Sequence, residues 1–197
     1  MNLACLQKFS SDFVVSLMPE ANKVYIKQYW PVVYMALDEL GLDYEEMLLM
    51  ALGTIAAETG NFNIALREYV SQYNTSANGR MMNHYFDLYD YRHDLGNMGT
   101  PDGERYRGGG AIQLTGRYNF REVGRKLKIP LEDNPDLIEN PIVSARALAT
   151  FLHSKENDIR EALGRGDLRK ARRLVNGGSH GLDRFEGTFR RGERLIA

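Results

Sequence analysis

A single cysteine, Cys5, occurs in 197 residues. One cysteine excludes an internal disulfide framework and any zinc or iron-sulfur site built on a cysteine cluster, so stability has to come from packing. Long apolar runs are missing as well. The longest, Met47 to Ala57, includes Gly53 and Thr54 and falls far short of the roughly 20 residues that span a bilayer. No apolar stretch precedes Leu3-Ala4-Cys5 and no signal peptide is recognisable, which argues against lipidation and export. The chain is therefore expected to be soluble, made in the cytoplasm, without stable membrane insertion. An excess of one charge is also absent: Lys plus Arg number 25 and Asp plus Glu 26, a formal net charge of -1, so a nucleic-acid partner is not expected.

The charge is nevertheless unevenly spread. Residues 1–104 carry 6 basic and 14 acidic side chains, whereas residues 105–197 carry 19 and 12. The basic half suits an anionic polymer, and the alternative is that the two halves face each other across the fold. A length of 197 residues, set against about 150 per domain, predicts a single domain over 1–197, expected to act as a monomer.

The hydrophobic pattern predicts a mainly α fold. Asp43, Glu45 and Glu46 provide an N-cap and an acidic first turn, after which the run from Met47 continues to Gly60 as a helix apolar nearly all round, hence central. An earlier helix is predicted over about 21–40, kinked or split at Pro31. Later helices are expected over 118–128, from Pro141 after Asn140 to 154, over 167–175 and over 182–196. Between them, 74–110 is punctuated by Asn and Gly and interleaved with Tyr85, Phe86, Tyr89, Tyr91 and Tyr106. So long a loop in a small domain is expected to be functional. At most a small β element is predicted, at 111–115, where alternation would turn Gln113 and Thr115 to one side and anchor Ile112 and Leu114 on the other.

Glu58 lies in the last turn of the central helix, on a face shared with Thr54 and Ile55. Desolvation and the negative helix end are both expected to favour its neutral form, the property of a general acid. Ten residues on, Glu68 is the candidate second carboxylate, and a carboxylate pair is what glycoside hydrolysis requires. Gly108-Gly109-Gly110 lacks the Lys-Ser/Thr of a phosphate loop. His84, His93, His153 and His180 have no metal-ligand spacing. No cofactor and no metal are expected.

Three motifs stand in order: Glu58-Thr59-Gly60-Asn61-Phe62; Tyr106-Arg107-Gly108-Gly109-Gly110-Ala111-Ile112-Gln113-Leu114-Thr115-Gly116-Arg117-Tyr118-Asn119-Phe120; and Asn176-Gly177-Gly178 with Gly181-Leu182-Asp183-Arg184. Together they resemble the family 19 glycoside hydrolases, which include chitinases and phage endolysins with a lysozyme-like fold. The resemblance implies that Glu58 is the general acid and that Gln113, Thr115, Tyr118 and Asn119 are cleft residues, with Thr115 helping to place the water. It implies that Asn176 and Arg184 also contact substrate, and Glu68 is assigned as the base. Two departures are visible: Gly109 stands where the family has arginine, and Asn61 where it has a second glycine. The expectation is an inverting hydrolase of β-1,4 bonds between N-acetylated sugars, with carboxyl groups about 6.5 to 9.5 Å apart. Its polysaccharide substrate is expected to be peptidoglycan, in an endolysin-like cell-wall lysis or as a delivered toxin. The alternatives are a chitinase and a catalytically silent sugar-binding module.

Overall fold

The computed structural model describes residues 7–178 and 180–197, so Cys5 lies outside the described residues. The fold is mainly helical, as the sequence predicts. Ser10 Oγ accepts from Phe13 N to start α1 (Ser11–Leu17). Asn22 Oδ1 accepts from Val24 N at 2.9 Å and starts α2 (Lys23–Asp38), which runs through Pro31 as one helix rather than splitting there. The central helix α3 (Glu45–Thr59) begins one residue later than expected. Tyr44, not Asp43, takes the N-cap position without a side-chain bond, and Glu45 and Glu46 supply the favourable charge in the first turn. Every residue from Met47 to Ala57 is buried.

Two short helices, α4 (Ala77–Met81) and α5 (Asp102–Arg105), interrupt the long loop. They are followed by α6 (Arg117–Leu127), α7 (Pro141–His153), α8 (Glu156–Gly164), α9 (Leu168–Asn176) and α10 (Leu182–Ile196). Helices α3 and α10 cross closely enough that a Cβ on Gly53 would stand 2.8 Å from the Phe185 ring, and one on Gly192 would stand 2.2 Å from Leu49 Cδ2. The main core surrounds α3. A second apolar cluster of Tyr106, Leu114, Phe120, Val123, Leu131 and Ile138 lies under the glycine-rich turn. Among the described residues no helix is long and apolar enough to cross a membrane.

The predicted β element at 111–115 does not form. Residues 111–113 are a turn, with Gln113 at φ 49°, and an isolated bridge among the described residues pairs Arg67 with Gly109. Around that bridge Glu68 N donates to Gly108 O at 2.7 Å and Gly110 N to Leu66 O at 2.8 Å. Space explains why residue 109 is glycine, because a Cβ there would meet Arg67 Cδ at 2.7 Å and Ile138 Cγ2 at 2.8 Å. Buried Arg67 thus fills the space beside Gly109. Its guanidinium donates to Pro135 O, Asp136 and Arg105 O and packs over the Phe120 ring.

The loop is tied to the body by carboxylates. Asp102 accepts from Met98 N at 2.8 Å and from Arg117 Nε and Nη2 at 2.9 and 2.6 Å. Burial opposes its charge, but the Arg117 and Met98 hydrogen bonds outweigh burial and hold its carboxyl below the ordinary range. Asp87 is held low first by the Ser76 hydroxyl and then by the Ser76 N–H. Because both folded values lie below the unfolded ones, this stabilisation is complete above the unfolded pKa near about 4 and is lost as pH falls through the folded values. Limited proteolysis within 74–106 is expected to set in only below about pH 4. Cleavage already appearing at about pH 5, with the helices intact, would contradict that role for the two carboxylates.

Candidate active site

Glu58 is delivered by the end of α3. Thr59 Oγ1 donates to Ile55 O at 2.9 Å and accepts from Phe62 N at 3.1 Å, and Gly60, at φ 67°, turns the chain away. The carboxylate is 10% exposed and has a buried cationic partner. Arg172, completely buried on α9, donates from Nη2 to Glu58 Oε1 at 2.7 Å. The same Nη2 donates to His180 O at 3.0 Å, and Nε does so at 3.3 Å. Arg172 Nη1 is buried without a hydrogen-bond partner among the described residues. Oε2 of Glu58 carries no hydrogen bond among them.

Glu68 reaches the same cleft from the bridged segment. Its Oε1 accepts from Asn74 Nδ2 and from the Tyr89 hydroxyl, both at 3.0 Å, and its Oε2 accepts from Gly108 N at 3.2 Å. Burial first, then the adjacent carboxylate, push the Tyr89 hydroxyl up to about 12. Tyr89 therefore remains a proton donor to Glu68 throughout the neutral range. Of the loop aromatics, Tyr89 serves the site, whereas Phe86 and Tyr106 are buried anchors and Tyr91 is exposed.

Glu58, Glu68, Tyr73, Tyr89, Gln113, Thr115 and His180 line one cleft of about 670 Å³. A second stretch of about 560 Å³ continues it past Gln113 and Thr115 to Ile112, Asn119, Asn176 and Gly177. Gln113 and Thr115 share the cleft although they are not on a strand. The left-handed backbone of Gln113 bends the turn so that both side chains still converge, and Ile112, expected as an anchor, lines the cleft. A Cβ on Gly108 would stand 2.8 Å from Gln113 Oε1 and 3.2 Å from both Glu68 Oε2 and Thr115 Oγ1. Three oxygens of the proposed site therefore gather over a residue that has no side chain. Thr115 Oγ1 donates to Gln113 O at 2.8 Å, Asn119 Nδ2 to Thr115 O at 2.7 Å and Asn176 Nδ2 to His180 O at 3.2 Å.

Two residues are placed differently from expectation. Tyr118 is 55% exposed and not part of the cleft lining. It follows Arg117 at the start of α6, and since successive helical residues turn by about 100°, the helix that aims Asn119 inward aims Tyr118 elsewhere. Arg184 lies in an adjoining depression with Ala57 and His180, its Nη1 3.2 Å from where a Gly60 Cβ would be. The basic group that meets Glu58 is Arg172 instead. Arg172 was legible in outline: Leu168, Ala171 and Val175 form the apolar stripe of α9, and an arginine beside that stripe needs a buried partner. Asn74 and the His180 carbonyl gave no sequence signal.

A helical core of lysozyme-like fold presents two carboxylates in one cleft, one held by a guanidinium and the other by a phenol and an amide. More closely, the chain has the fold of the family 19 chitinases. Over 96% of its length it superimposes on chitinase C from Streptomyces griseus, covering 76% of that chain, with a TM-score of 0.64 and 20% identity. A bacterial family 19 chitinase matches 95% of both chains with a TM-score of 0.58 and 20% identity. In sequence, 53 residues are 42% identical to chitinase 11 of rice, Oryza sativa subsp. japonica, a match covering 26% of this chain and 21% of the rice protein. No family model matches the chain.

Proposed function

We propose that this protein is a glycoside hydrolase that cleaves β-1,4 bonds between N-acetylated sugars, with Glu58 as general acid and Glu68 as general base. The observation that carries the proposal is the presence of both carboxylates in one cleft with different neighbours. Glu58 has one oxygen on Arg172 and the other free, and at that free oxygen the carboxylate takes up a proton from solvent and passes it to the leaving glycosidic oxygen. Glu68 is held as a hydrogen-bond acceptor by Asn74, Tyr89 and Gly108, and Thr115, gathered beside it, helps hold the water it activates. The inverting form of this chemistry uses the two groups on opposite faces of the sugar.

Peptidoglycan is the proposed substrate, because unpaired cations flank the cleft where the strand would leave it, and an uncharged polymer gives them nothing to bind. Chitin is the second reading, favoured by the printed names of the proteins that share the fold. Purified peptidoglycan and colloidal chitin, incubated separately with the protein and assayed for new reducing ends, separate the two. Release from peptidoglycan alone is the expected result, release from chitin alone would make it a chitinase, and release from neither would leave a sugar-binding module. Gly108→Ala tests the gathering of oxygens. The added methyl displaces Gln113, Glu68 and Thr115 and is expected to lower turnover by about tenfold or more, whereas unchanged turnover would show that their placement is not critical.

A further inference from the structure

Part of the uneven charge of the two halves is neutralised across the fold. Arg117 meets Asp102, Arg146 meets Glu39, Arg172 meets Glu58 and Arg191 meets Glu20. Among the cations left without an ion pair, one group lies beside the cleft. Arg169 and Arg173 are exposed on α9, four residues apart and so on one face of the helix. Arg184, also exposed, stands in the first turn of α10. None of the three has a hydrogen bond or ion pair among the described residues. Lys170 between them reaches Glu161 only at 3.9 Å, and Asp167 is engaged in capping α9 through Lys170 N at 2.9 Å.

These arginines line two depressions that open from the end of the cleft. One, of about 440 Å³, holds Arg169 and Arg184 together with one carboxylate, Asp183, and shares His180 with both stretches of the cleft. The other, of about 460 Å³, holds Arg169, Lys170 and Arg173 and shares Gly177 with the cleft. Like charges at i and i+4 repel, so the pair on α9 is unfavourable until an anion joins it. A guanidinium is the side chain best shaped to take a carboxylate through two hydrogen bonds.

We infer that Arg169 and Arg173, with Arg184 across the turn, form a carboxylate-binding extension of the cleft that grips the stem-peptide carboxylates of a peptidoglycan strand. The inference rests on the glycosidase reading for the path of the strand, and it names the part of the substrate that distinguishes peptidoglycan from chitin. Sugar rings occupy the Glu58–Glu68 cleft, and the anionic substituent reaches sideways past His180 and Gly177 to the arginines.

The test is co-sedimentation with phosphate-free sacculi, with the same sacculi after carbodiimide coupling to glycinamide, which neutralises their carboxylates, and with teichoic-acid-bearing walls neutralised in the same way. Arg169→Gln/Arg173→Gln is compared with the unaltered protein, thermal unfolding serving as the folding check because both side chains are exposed. The double variant is expected to bind native sacculi about tenfold more weakly and to bind neutralised sacculi no differently from the unaltered protein. Equal binding to native sacculi would overturn the inference. A loss that persists on the neutralised, phosphate-bearing walls would overturn the carboxylate assignment in favour of phosphate. Reducing-end release by the unaltered protein is followed in parallel. No release, together with a carboxylate-dependent loss of binding, would remove the glycosidase reading and leave the anion site standing; release with unaltered binding would do the reverse.

Discussion

Glu58→Gln is expected to lower the rate of glycan cleavage by about a hundredfold or more, the contribution usual for a general acid. The amide has no proton to give the leaving oxygen, and nothing nearby replaces it. His180 lines the same cleft, but what it offers Arg172 is its backbone carbonyl. The glutamine carbonyl still accepts from Arg172 Nη2, which now sits 2.7 Å from Oε1, so the end of α3 keeps its anchor. Some stability is lost with the counter-charge, and the comparison has to be made well below the unfolding midpoint. Less than a tenfold loss of activity in folded protein would remove Glu58 from the acid role.

Arg172→Met is expected to have the largest effect on stability of any change in the cleft. Its guanidinium is fully buried and its partner carboxylate is 10% exposed, so screening by water does little for either. Removing one member of a buried pair leaves the other charged and unpartnered, a cost of about 3–5 kcal/mol. In a domain of this size that corresponds to a fall on the order of 10 °C in the unfolding midpoint. His180 O loses its two donors from Arg172 at the same time, and the tie between α9 and the turn that carries His180 is left to Asn176 Nδ2. The second substitution of a cycle makes the argument specific. Adding Glu58→Gln to Arg172→Met removes the stranded charge and is expected to recover part of the lost stability, so the two costs do not add. Strict additivity, or a shift below about 1 kcal/mol for Arg172→Met alone, would mean that the pair is not coupled.

Much of the scaffold was legible because its signals are local. The all-apolar Met47–Ala57 run identified the central helix, Asn140-Pro141 marked the start of α7, and the crowding of Asn and Gly between 74 and 110 marked a segment that builds one wall of the site. The failures were also physical. Period-two alternation at 111–115 is the pattern of a strand, but the same alternation is produced by a turn in which Gln113 adopts a left-handed backbone, a state a non-glycine side chain does not announce. Helices α1 and α8 are only seven and nine residues long, so they leave little periodicity to detect. Pro31 was expected to kink or split its helix; α2 does not split there.

The site was legible as a set of residues and not as a set of contacts. Glu58, Glu68, Gln113, Thr115, Asn119 and Asn176 line one continuous cleft, whereas Tyr118 and Arg184 lie outside it. What the chain order could not convey is the pairing. Glu58 and Arg172 are separated by 114 positions, and the apparent isolation of the carboxylate in sequence concealed a buried partner. The second half of the chain thus uses part of its positive charge inside the fold and keeps part of it free beside the cleft.

The most direct test of the central claim is the anomeric configuration of the first product released from soluble, uncrosslinked peptidoglycan glycan strands, followed by proton NMR before mutarotation. Two carboxylates acting on opposite faces of the sugar through an intervening water predict an α-anomer as the initial product. A β-anomer would mean a retained configuration, and would contradict the assignment of Glu68 as a base acting on water.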